Sequence, residues 1–316
     1  MRYDLIIIGG GPAGITAGIY AARQKLNTLL ITKSFGGQIA KKAVAIENYP
    51  GFEEVSGLDL IRAFEKHLRK FTLKNIVENS QIDIERDEAR RMKKINNDFL
   101  VFTKSKQQFR SKAVIIASGA DPRPLEVPGE KEFIGKGISY CVTCDAPLFA
   151  DKKVAVVGGG NSAFETAEFL SSWANKVYIL EYQEKVGADV INQQRTERNR
   201  KIKIITSVEP KEIKGGNFVN SLVYSDRKTG KESALAVDGV FIEIGSQPAT
   251  SFVNGLVDFS KKDEIIIDPL TTQTKTPGLF AAGDVTNVVY KQIVIAAGEG
   301  CKAALSASSY LISLKK

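Results

Sequence analysis

Cys141 and Cys144 stand close together in "SYCVTCDAPLF", and the chain has only one other cysteine, Cys301. A closed zinc site needs four Cys or His ligands, and the sequence offers only Cys301 and the single histidine His67 besides this pair. We therefore predict no metal site. A disulfide within C-x-x-C closes too short a loop to stabilise a fold much, whereas such pairs commonly cycle between oxidised and reduced forms. The spacing favours a redox-active dithiol over a structural disulfide.

The composition is that of an ordinary globular protein with a basic balance. The chain has 316 residues, 43% of them apolar, and a formal charge of +8, which suffices for one large or two medium domains. Basic clusters occur at "RRMKK" (Arg90 to Lys94) and "RTERNRKIK" (Arg195 to Lys203). Neither cluster has interleaved aromatic residues or a recognition motif for nucleic acid. We interpret both as solvated faces and predict no nucleic-acid partner.

The sequence also bears on the compartment. No apolar run approaches the ~18 residues that a membrane span requires. At the N-terminus, Asp4 precedes a short apolar run that glycines stop, unlike a secretory signal. Three cysteines without such a signal favour a reducing compartment. We expect a cytoplasmic protein that does not interact with a membrane.

A glycine-rich turn follows the first apolar run. Residues 4 to 8, "DLIII", have the continuous apolar pattern of a buried parallel strand, and the helical stretch "ITAGIYAARQ" follows "GGGPAG". Gly9, Gly11 and Gly14 complete a G-x-G-x-x-G, in which the glycines allow the turn, the approach of a pyrophosphate and close helix packing. The pattern predicts a dinucleotide whose pyrophosphate lies at the helix N-terminus.

The same arrangement occurs a second time. An apolar strand, Val154 to Val157, precedes Gly158 and Gly160, with Ala163 in the third position, and a helix and the strand "VYIL" follow. The repetition predicts an α/β protein with two Rossmann-like, three-layer dinucleotide-binding domains, and hence two bound dinucleotides.

The second unit also has an acidic residue, Glu181, where the strand "VYIL" ends. A carboxylate at this place can accept hydrogen bonds from the adenine-ribose hydroxyls and would repel the additional phosphate of NADPH. No arginine follows until Arg195. We therefore predict NADH in preference to NADPH; the alternative is that Glu181 is only a polar strand end.

The first unit lacks an acidic residue of this kind, but other segments favour a flavin there. "FGGQ" (Phe35 to Gln38) and "IENYPG" (Ile46 to Gly51) are glycine-containing loops that could line an isoalloxazine ring. Downstream, "TPGLFAAGDV" ends an apolar run at Gly283 and Asp284. An aspartate in this place can hold a ribityl hydroxyl, although by itself it would more often be a turn residue.

These motifs together resemble a known family. "GGGPAG", "GGQ", "ENYPG", C-x-x-C-D, "GGGNSA" and "LFAAGDV" with "YKQIVIAAGEG" occur in the order found in low-molecular-weight thioredoxin reductases, and the resemblance covers essentially the whole chain. The stretches "VYILEYQEKVGADV" and "DVTNVVYKQIVIAAGEGCKAALSASSYLI" are most similar to the flavoprotein subunit of alkyl hydroperoxide reductase, which uses NADH and carries an additional N-terminal thioredoxin-like domain. Because this chain begins at the flavin-binding strand, we expect any thioredoxin-like relay to be a separate protein.

The resemblance implies a domain organisation. A discontinuous FAD-binding domain would comprise residues 1–116 and 245–316. An NAD(P)H-binding domain, residues 117–244, would be inserted within it and carry the C-x-x-C. The segments "VIIASGA" (Val114 to Ala120) and "GVFIEIGSQP" (Gly239 to Pro248) are similar to the points where the chain leaves and re-enters the first domain. A homodimer is also implied.

Site residues are transferred by motif position. The resemblance implies FAD contacts at Gly9, Gly11, Pro12, Ala13, Gly14, Gly37, Gln38, Asn48, Ala117, Gly119, Asp284, Lys291, Gln292 and Ile293. It places the NADH contacts at Gly158, Gly160, Asn161, Ser162, Ala163 and Glu181.

The resemblance also implies catalytic roles. Cys144 would be the thiol that faces the flavin, Cys141 would attack the disulfide of the partner, and Asp145 would act as the acid/base. Ala146 stands where the family commonly has glycine, and we expect this exchange to stiffen the turn.

The implied function is an FAD-dependent disulfide reductase. Electrons would pass from NADH through FAD and the Cys141/Cys144 pair to the disulfide of a thioredoxin- or glutaredoxin-like protein, which could in turn feed a peroxidase. Two alternatives remain: a flavin-dithiol reductase that receives electrons from ferredoxin or another donor, and a non-catalytic redox sensor. The intact "GGGNSA" turn followed by Glu181 favours a nucleotide donor.

Overall fold

A computed structural model describes residues 2–42, 46, 48–72 and 82–314. The chain divides into two compact units. The outer unit comprises Met1–Asp121 and Gln247–Lys316, and the inserted unit comprises Pro122–Ser246. The boundaries predicted from the sequence lie at 116/117 and 244/245.

Strands and helices alternate in only part of the described chain, because residues 82–139 and 202–248 form two runs of consecutive strands. The strands are β1 Arg2–Ile8, β2 Thr28–Ile31, β3 Ile82–Glu85, β4 Ala89–Ile95, β5 Asp98–Thr103, β6 Gln108–Ile116, β7 Ala120–Pro122, β8 Ile138–Ser139, β9 Lys153–Val157, β10 Lys176–Leu180, β11 Ile202–Ile205, β12 Val208–Gly215, β13 Val219–Asp226, β14 Glu232–Ala236, β15 Gly239–Ile242, β16 Ser246–Pro248 and β17 Leu279–Ala281. The helices are α1 Pro12–Arg23, α2 Gly37–Lys42, α3 Gly57–Arg69, α4 Val142–Asp145, α5 Asn161–Ser171, α6 Val190–Arg198 and α7 Ile293–Ser313. Short 3-10 turns lie at Ala146–Phe149 and Ser251–Val253.

The outer unit is built on a parallel sheet with the order β3-β2-β1-β6, to which β17 adds on β6. Its central strands are continuous apolar runs because both faces are covered. Strand β6 pairs with β1 along one edge and with two strands along its other edge. On that other edge, its first half pairs antiparallel with β5, and its last residues pair with β17. Strand β4 then pairs antiparallel with β5 at the edge.

Helices α1 and α7 cover one face of this sheet. Pro12 is the first residue of α1, a position where its missing N–H costs nothing. The two helices cross very closely, since a Cβ on Gly300 of α7 would lie 2.1 Å from the carbonyl oxygen of Ala13 in α1. A side chain at Gly300 would therefore separate the helices and displace the start of α1.

The inserted unit has a five-stranded parallel sheet with the order β11-β10-β9-β15-β8 and a three-stranded antiparallel sheet, β12-β13-β14. Helix α5 covers one face of the parallel sheet, with Phe164 and Phe241 in the core between them. The antiparallel sheet closes the other face around Leu222 and Val240. The remaining strands, β7 and β16, pair with each other where the chain passes between the units.

Both units thus contain the strand, glycine turn and helix that the sequence predicts, and the predicted α/β class is confirmed. None of the helices among the described residues is long and apolar enough to cross a membrane.

Candidate functional site

The two cysteines of the C-x-x-C lie just after β8. Cys141 precedes α4, and its carbonyl oxygen accepts hydrogen bonds from the N–H groups of Cys144 and Asp145 at 3.3 and 3.2 Å. The sulfurs are joined in a disulfide with the Cα atoms 5.4 Å apart, and both residues are half-buried. Ala146 follows in right-handed helical conformation (φ −54°) and is fully buried, so that alanine fits this turn without strain.

Asp145 belongs to a small hydrogen-bonded group around the disulfide. The Ser139 hydroxyl donates to Asp145 Oδ2 at 2.6 Å and accepts from the Cys141 N–H at 3.0 Å. Burial raises the pKa of the Asp145 carboxyl, and the hydrogen bond from Ser139 opposes this in part. A carboxyl that holds its proton more tightly than usual is suited to donate one to a leaving thiolate beside it.

A second carboxylate near the dithiol escaped the sequence analysis. Glu130 is only 3% exposed and accepts hydrogen bonds from the N–H groups of Leu125 and Glu126 at 2.8 and 2.6 Å. It also accepts from the hydroxyl of Tyr140, the residue that precedes Cys141; burial and this hydrogen bond raise the pKa of the Tyr140 hydroxyl. Glu130 therefore ties the backbone before the dithiol to the segment at 125–126. No local sequence pattern indicates these contacts.

The glycine turn of the inserted unit has the shape that a pyrophosphate needs. Gly158 has a φ of +129°, and a Cβ there would lie 2.3 Å from the Glu243 carbonyl oxygen, so the fold itself requires glycine. At Gly160 the φ is an ordinary −85° and a Cβ would meet no atom within 4 Å. No protein contact requires glycine at 160, and the open space over the start of α5 fits a bound phosphate.

Side chains at the start of α5 hold the turn rather than point to a ligand. Asn161 Nδ2 donates to Asp189 Oδ2 at 2.8 Å, and Asn161 Oδ1 accepts from the Asp189 N–H at 2.7 Å. The Ser162 hydroxyl donates to Glu243 Oε2 at 2.7 Å, and Ala163 is buried in the core. Any contact of Asn161 and Ser162 with a dinucleotide is therefore expected through their backbone N–H groups.

Glu181 lies over this turn. Its Oε1 accepts a hydrogen bond from the Gln183 N–H at 2.7 Å, and a Cβ on Gly159 would lie 2.3 Å from its Oε2. A cavity of about 490 Å³ adjoins it, lined by Leu125, Glu126, Val127, Pro128, Val157, Gly158, Leu180, Glu181, Tyr182, Glu209, Pro210, Lys211 and Ile244. A carboxylate between the glycine turn and an adjoining cavity fits the ribose and adenine of a dinucleotide.

An arginine that is distant in sequence also reaches this region. The guanidinium of Arg227 lies 3.6 Å from the centroid of the Tyr182 ring, and its Nη1 donates to the Tyr182 carbonyl oxygen at 2.9 Å. Although no arginine lies between Glu181 and Arg195 in the sequence, the fold therefore places an arginine against Tyr182, the residue that follows Glu181.

In the predicted FAD turn of the outer unit, as in the inserted unit, some glycines are required by the packing of the protein and one is not. Gly9 has a φ of +120°, and a Cβ there would lie 2.1 Å from the Ala117 carbonyl oxygen. A Cβ on Gly14 would lie 1.9 Å from the Gly9 carbonyl oxygen. A Cβ on Gly11 would meet nothing within 4 Å. The turn packs against the backbone of Ala117, and the open space next to Gly11 fits the pyrophosphate of FAD.

Gln38 presents a buried acceptor that lacks a partner. Its Nε2 donates to the Ala120 carbonyl oxygen at 3.2 Å and to the Asp121 carboxylate. This leaves Oε1 buried without a hydrogen-bond partner among the described residues. Gly37 and Gly119 have left-handed conformations, with φ of +54° and +71°. An orphaned buried acceptor points to a ligand donor, as a bound flavin would offer.

Two predicted FAD contacts that are far apart in sequence meet in space. Asn48 Nδ2 donates to Gln292 Oε1 at 3.4 Å. Gln292 precedes α7, a 21-residue helix that begins at Ile293 and presents its positive end here. Of the "ENYPG" motif, Glu47 lies outside the described residues.

Asp284 carries a half-buried carboxylate in the outer unit. Its carboxylate accepts no hydrogen bond from any described residue, and burial raises its pKa while Lys291 opposes the rise. The Lys291 ammonium is itself engaged by the protein, 3.0 Å from Glu264 Oε1. Glu299, which the sequence analysis missed, accepts from the N–H of Gly283 at 2.8 Å and so holds this loop. The carboxylate of Asp284, which accepts no hydrogen bond from a described residue, fits a ribityl hydroxyl.

The remaining cysteine and the histidine belong to neither group. Cys301 is a free, half-buried thiol on α7, and its interaction with Tyr20 raises the pKa of the Tyr20 hydroxyl. His67 is exposed on α3. Within the described part of the chain, no group of three His, Cys, Asp or Glu residues could hold a metal ion.

Comparisons with known proteins agree with this geometry. The family model described as pyridine nucleotide-disulphide oxidoreductase matches residues 3–300. The F subunit of alkyl hydroperoxide reductase from Pseudomonas putida is 40% identical over 98% of this chain, and a protein named NADH dehydrogenase from Bacillus subtilis is 39% identical over 98%. The crystal structure of thioredoxin reductase from Streptococcus pyogenes MGAS5005 superposes with a TM-score of 0.90 at 36% identity and covers 99% of both chains.

The chain spans 58% of the length of the Pseudomonas relative and 59% of the Bacillus relative. Over that span it contains a cysteine pair and two glycine turns, one in each unit. The family implies FAD and a pyridine nucleotide, and the residues described above fit both. The predicted resemblance is thereby confirmed: the chain belongs to the pyridine nucleotide-disulphide oxidoreductase family and is a thioredoxin reductase-like enzyme.

Proposed function

We propose that this enzyme takes electrons from NADH and passes them, with FAD, through Cys141 and Cys144 to the disulfide of a thioredoxin- or glutaredoxin-like protein. The observation that carries the proposal is the half-buried Cys141–Cys144 disulfide with the buried carboxyl of Asp145 beside it. The inserted unit that holds this pair also holds the glycine turn and Glu181. One unit therefore carries both the nucleotide site and the dithiol.

Two observations support NADH as the donor. The Glu181 carboxylate lies over the glycine turn, where it would accept the ribose hydroxyls of NADH and repel a 2′-phosphate. One relative at 39% identity is named NADH dehydrogenase.

An acceptor of the thioredoxin type is supported by the similarity to thioredoxin reductase and to the F subunit of alkyl hydroperoxide reductase. We further propose a cytoplasmic homodimer.

The chemistry divides between cofactor and protein. Bound FAD supplies two-electron transfer between a nicotinamide and a disulfide. In the reduced pair, the Cys141 thiolate attacks one sulfur of the partner's disulfide, which forms a mixed disulfide and releases the partner's other sulfur as a thiolate that takes a proton from Asp145. Cys144 then gives its proton to the Asp145 carboxylate and attacks the Cys141 sulfur. The partner's second sulfur leaves as a thiolate and takes that proton from Asp145. The partner is reduced by two electrons, and the Cys141–Cys144 disulfide forms again.

Asp145→Asn is expected to slow partner reduction about a hundredfold, because the amide cannot donate the proton. The raised pKa of Asp145 means that the donor is present below that pKa and is lost as the pH rises through it. The pH profile of partner reduction should therefore lose its alkaline limb in the variant. Single-turnover mixing of the reduced enzyme with a thioredoxin disulfide across a pH series measures both effects.

Ser139→Ala is the matched variant for this profile. It removes the hydrogen bond that lowers the Asp145 pKa, so the alkaline limb should move to higher pH while the carboxyl remains. A limb that stays in place in Ser139→Ala, or persists in Asp145→Asn, would assign the titration to another group.

The decisive test of the donor is anaerobic mixing of the FAD-loaded enzyme with NADH or NADPH at matched concentrations. We expect flavin bleaching with both nucleotides and a rate at low concentration at least about tenfold higher with NADH. Bleaching by NADH followed by repeated turnover with a thioredoxin disulfide supports the proposed reductase. Bleaching without turnover would favour a redox sensor, and no bleaching by either nucleotide would favour a ferredoxin-type donor.

A further inference from the structure

Among the cations in the segments next to Glu181, Lys185 and Arg227 form no ion pair with a described residue. Two lysines of this region are paired: Lys228 Nζ lies 2.5 Å from Glu184 Oε1, and Lys211 Nζ lies 2.7 Å from Glu209 Oε2. Arg227 forms no ion pair with a described residue, and it is solvent-exposed. Of Lys211, Lys228 and Arg227, Arg227 is therefore the one whose charge remains available to a ligand.

Hydrogen bonds connect the backbone of Arg227 to the segment that follows Glu181. Its N–H donates to the Ser207 carbonyl oxygen at 2.8 Å, and the Ser207 N–H donates to the Gln183 carbonyl oxygen at 2.9 Å. The Gln183 N–H in turn donates to Glu181 Oε1 at 2.7 Å. The end of β10, the end of β11 and the turn between β13 and β14 are thus joined into one rim, with the carboxylate and the guanidinium both on it.

The side chain of Arg227 is only partly used by the protein. A guanidinium has five N–H donors, and the hydrogen bond from Nη1 to the Tyr182 carbonyl oxygen occupies one of them. Stacking on the Tyr182 ring fixes the plane of the guanidinium at little cost to its remaining donors. Tyr182 lines the cavity next to Glu181. An oriented guanidinium with free donors is a good receptor for a phosphate.

We infer that Arg227 is a specificity-determining residue that receives the 2′-phosphate of NADPH. The inference rests on the proposed dinucleotide site. Glu181 favours NADH through the ribose hydroxyls, whereas Arg227 offsets the repulsion between that carboxylate and a 2′-phosphate. The enzyme therefore accepts NADPH more readily than Glu181 alone would allow, and the nucleotide preference is set by the balance of these two side chains.

The test compares two nucleotide fragments that differ only in the 2′-phosphate. Calorimetry would measure the binding of adenosine 2′,5′-bisphosphate and of 5′-AMP to the unaltered holoenzyme and to the Arg227→Gln variant. This substitution removes the positive charge and keeps an N–H that can reach Tyr182. We expect adenosine 2′,5′-bisphosphate to bind Arg227→Gln at least about tenfold more weakly, with 5′-AMP changed less than about twofold. Lys228→Ala, which removes the paired neighbouring cation, should change neither affinity.

Each other outcome overturns the inference in a different way. Equal weakening of both fragments would mean that Arg227 only positions Tyr182. No change in either would mean that the 2′-phosphate does not reach Arg227. If neither fragment binds to the unaltered enzyme while its flavin is still reduced by another donor, the proposed nucleotide site itself is wrong.

Discussion

Cys144→Ser is expected to abolish reduction of a thioredoxin disulfide, by at least about a thousandfold, while NADH still bleaches the flavin at close to the normal rate. The reason is that a hydroxyl at 144 cannot displace the partner from Cys141 or form the disulfide that links the two half-reactions. Glu181 and the two glycine turns are unchanged in this variant, so the nucleotide and FAD sites remain intact. Stopped-flow absorbance of the flavin and steady-state reduction of the partner measure the two half-reactions separately.

Cys301→Ser is the matched control for this experiment. It makes the same chemical exchange at the free thiol on α7, which lies outside the disulfide, and it should leave both half-reactions unchanged. If Cys144→Ser lost flavin reduction as well, the assignment of the cysteine pair to the second half-reaction would be wrong. Retained partner reduction in Cys144→Ser would exclude the dithiol from the reaction.

The second large effect is expected from two alanine substitutions in one turn. Gly11→Ala places a methyl group where the structure has open space and where the pyrophosphate of FAD is proposed to lie. We expect the affinity for FAD to fall at least about a hundredfold, or about 3 kcal/mol, while the unfolding of the FAD-free protein is unchanged. Flavin fluorescence during titration measures the affinity, and urea denaturation of the FAD-free protein measures the stability.

Gly14→Ala should behave in the opposite way. Its Cβ would lie 1.9 Å from the Gly9 carbonyl oxygen, so α1 and the turn must move apart, which should lower the free energy of unfolding of the FAD-free protein by about 1–3 kcal/mol or more. The contrast between the two variants separates a glycine kept for a ligand from a glycine kept for packing. Equal destabilisation of the FAD-free protein by both would refute the view that Gly11 is free of protein contacts.

Local motifs account for what could be predicted without a structure. A buried parallel strand, a glycine turn and a helix lie within about twenty consecutive residues, so their apolar pattern and glycine spacing are visible in sequence at Gly9 and again at Gly158. The C-x-x-C is equally local. From these, the α/β class, the two dinucleotide turns and the candidate dithiol follow directly, and the order of the motifs indicates the family.

Contacts between distant segments could not be predicted in this way. Asn48 meets Gln292, and Glu299 holds Gly283, through the assembly of the outer unit around β6 and α7. A hydrophobic period identifies which face of an element is buried, but it does not indicate which polar side chain from another element will reach that face. For Glu299, nothing in the sequence indicated its contact with Gly283 apart from its place between two glycines in "GEG".

The proposed nucleotide site shows most clearly that contacts between distant segments could not be predicted from the sequence. The sequence alone determined that a carboxylate, Glu181, ends the second strand of a dinucleotide fold, because strand ends and turns are local features. Only the tertiary structure decided that Arg227 stacks on Tyr182 beside that carboxylate. The physical reason is that the preference for one nucleotide depends on distances between charges in space. The turn between β13 and β14 brings against Tyr182, next to Glu181, a cation that is remote along the chain.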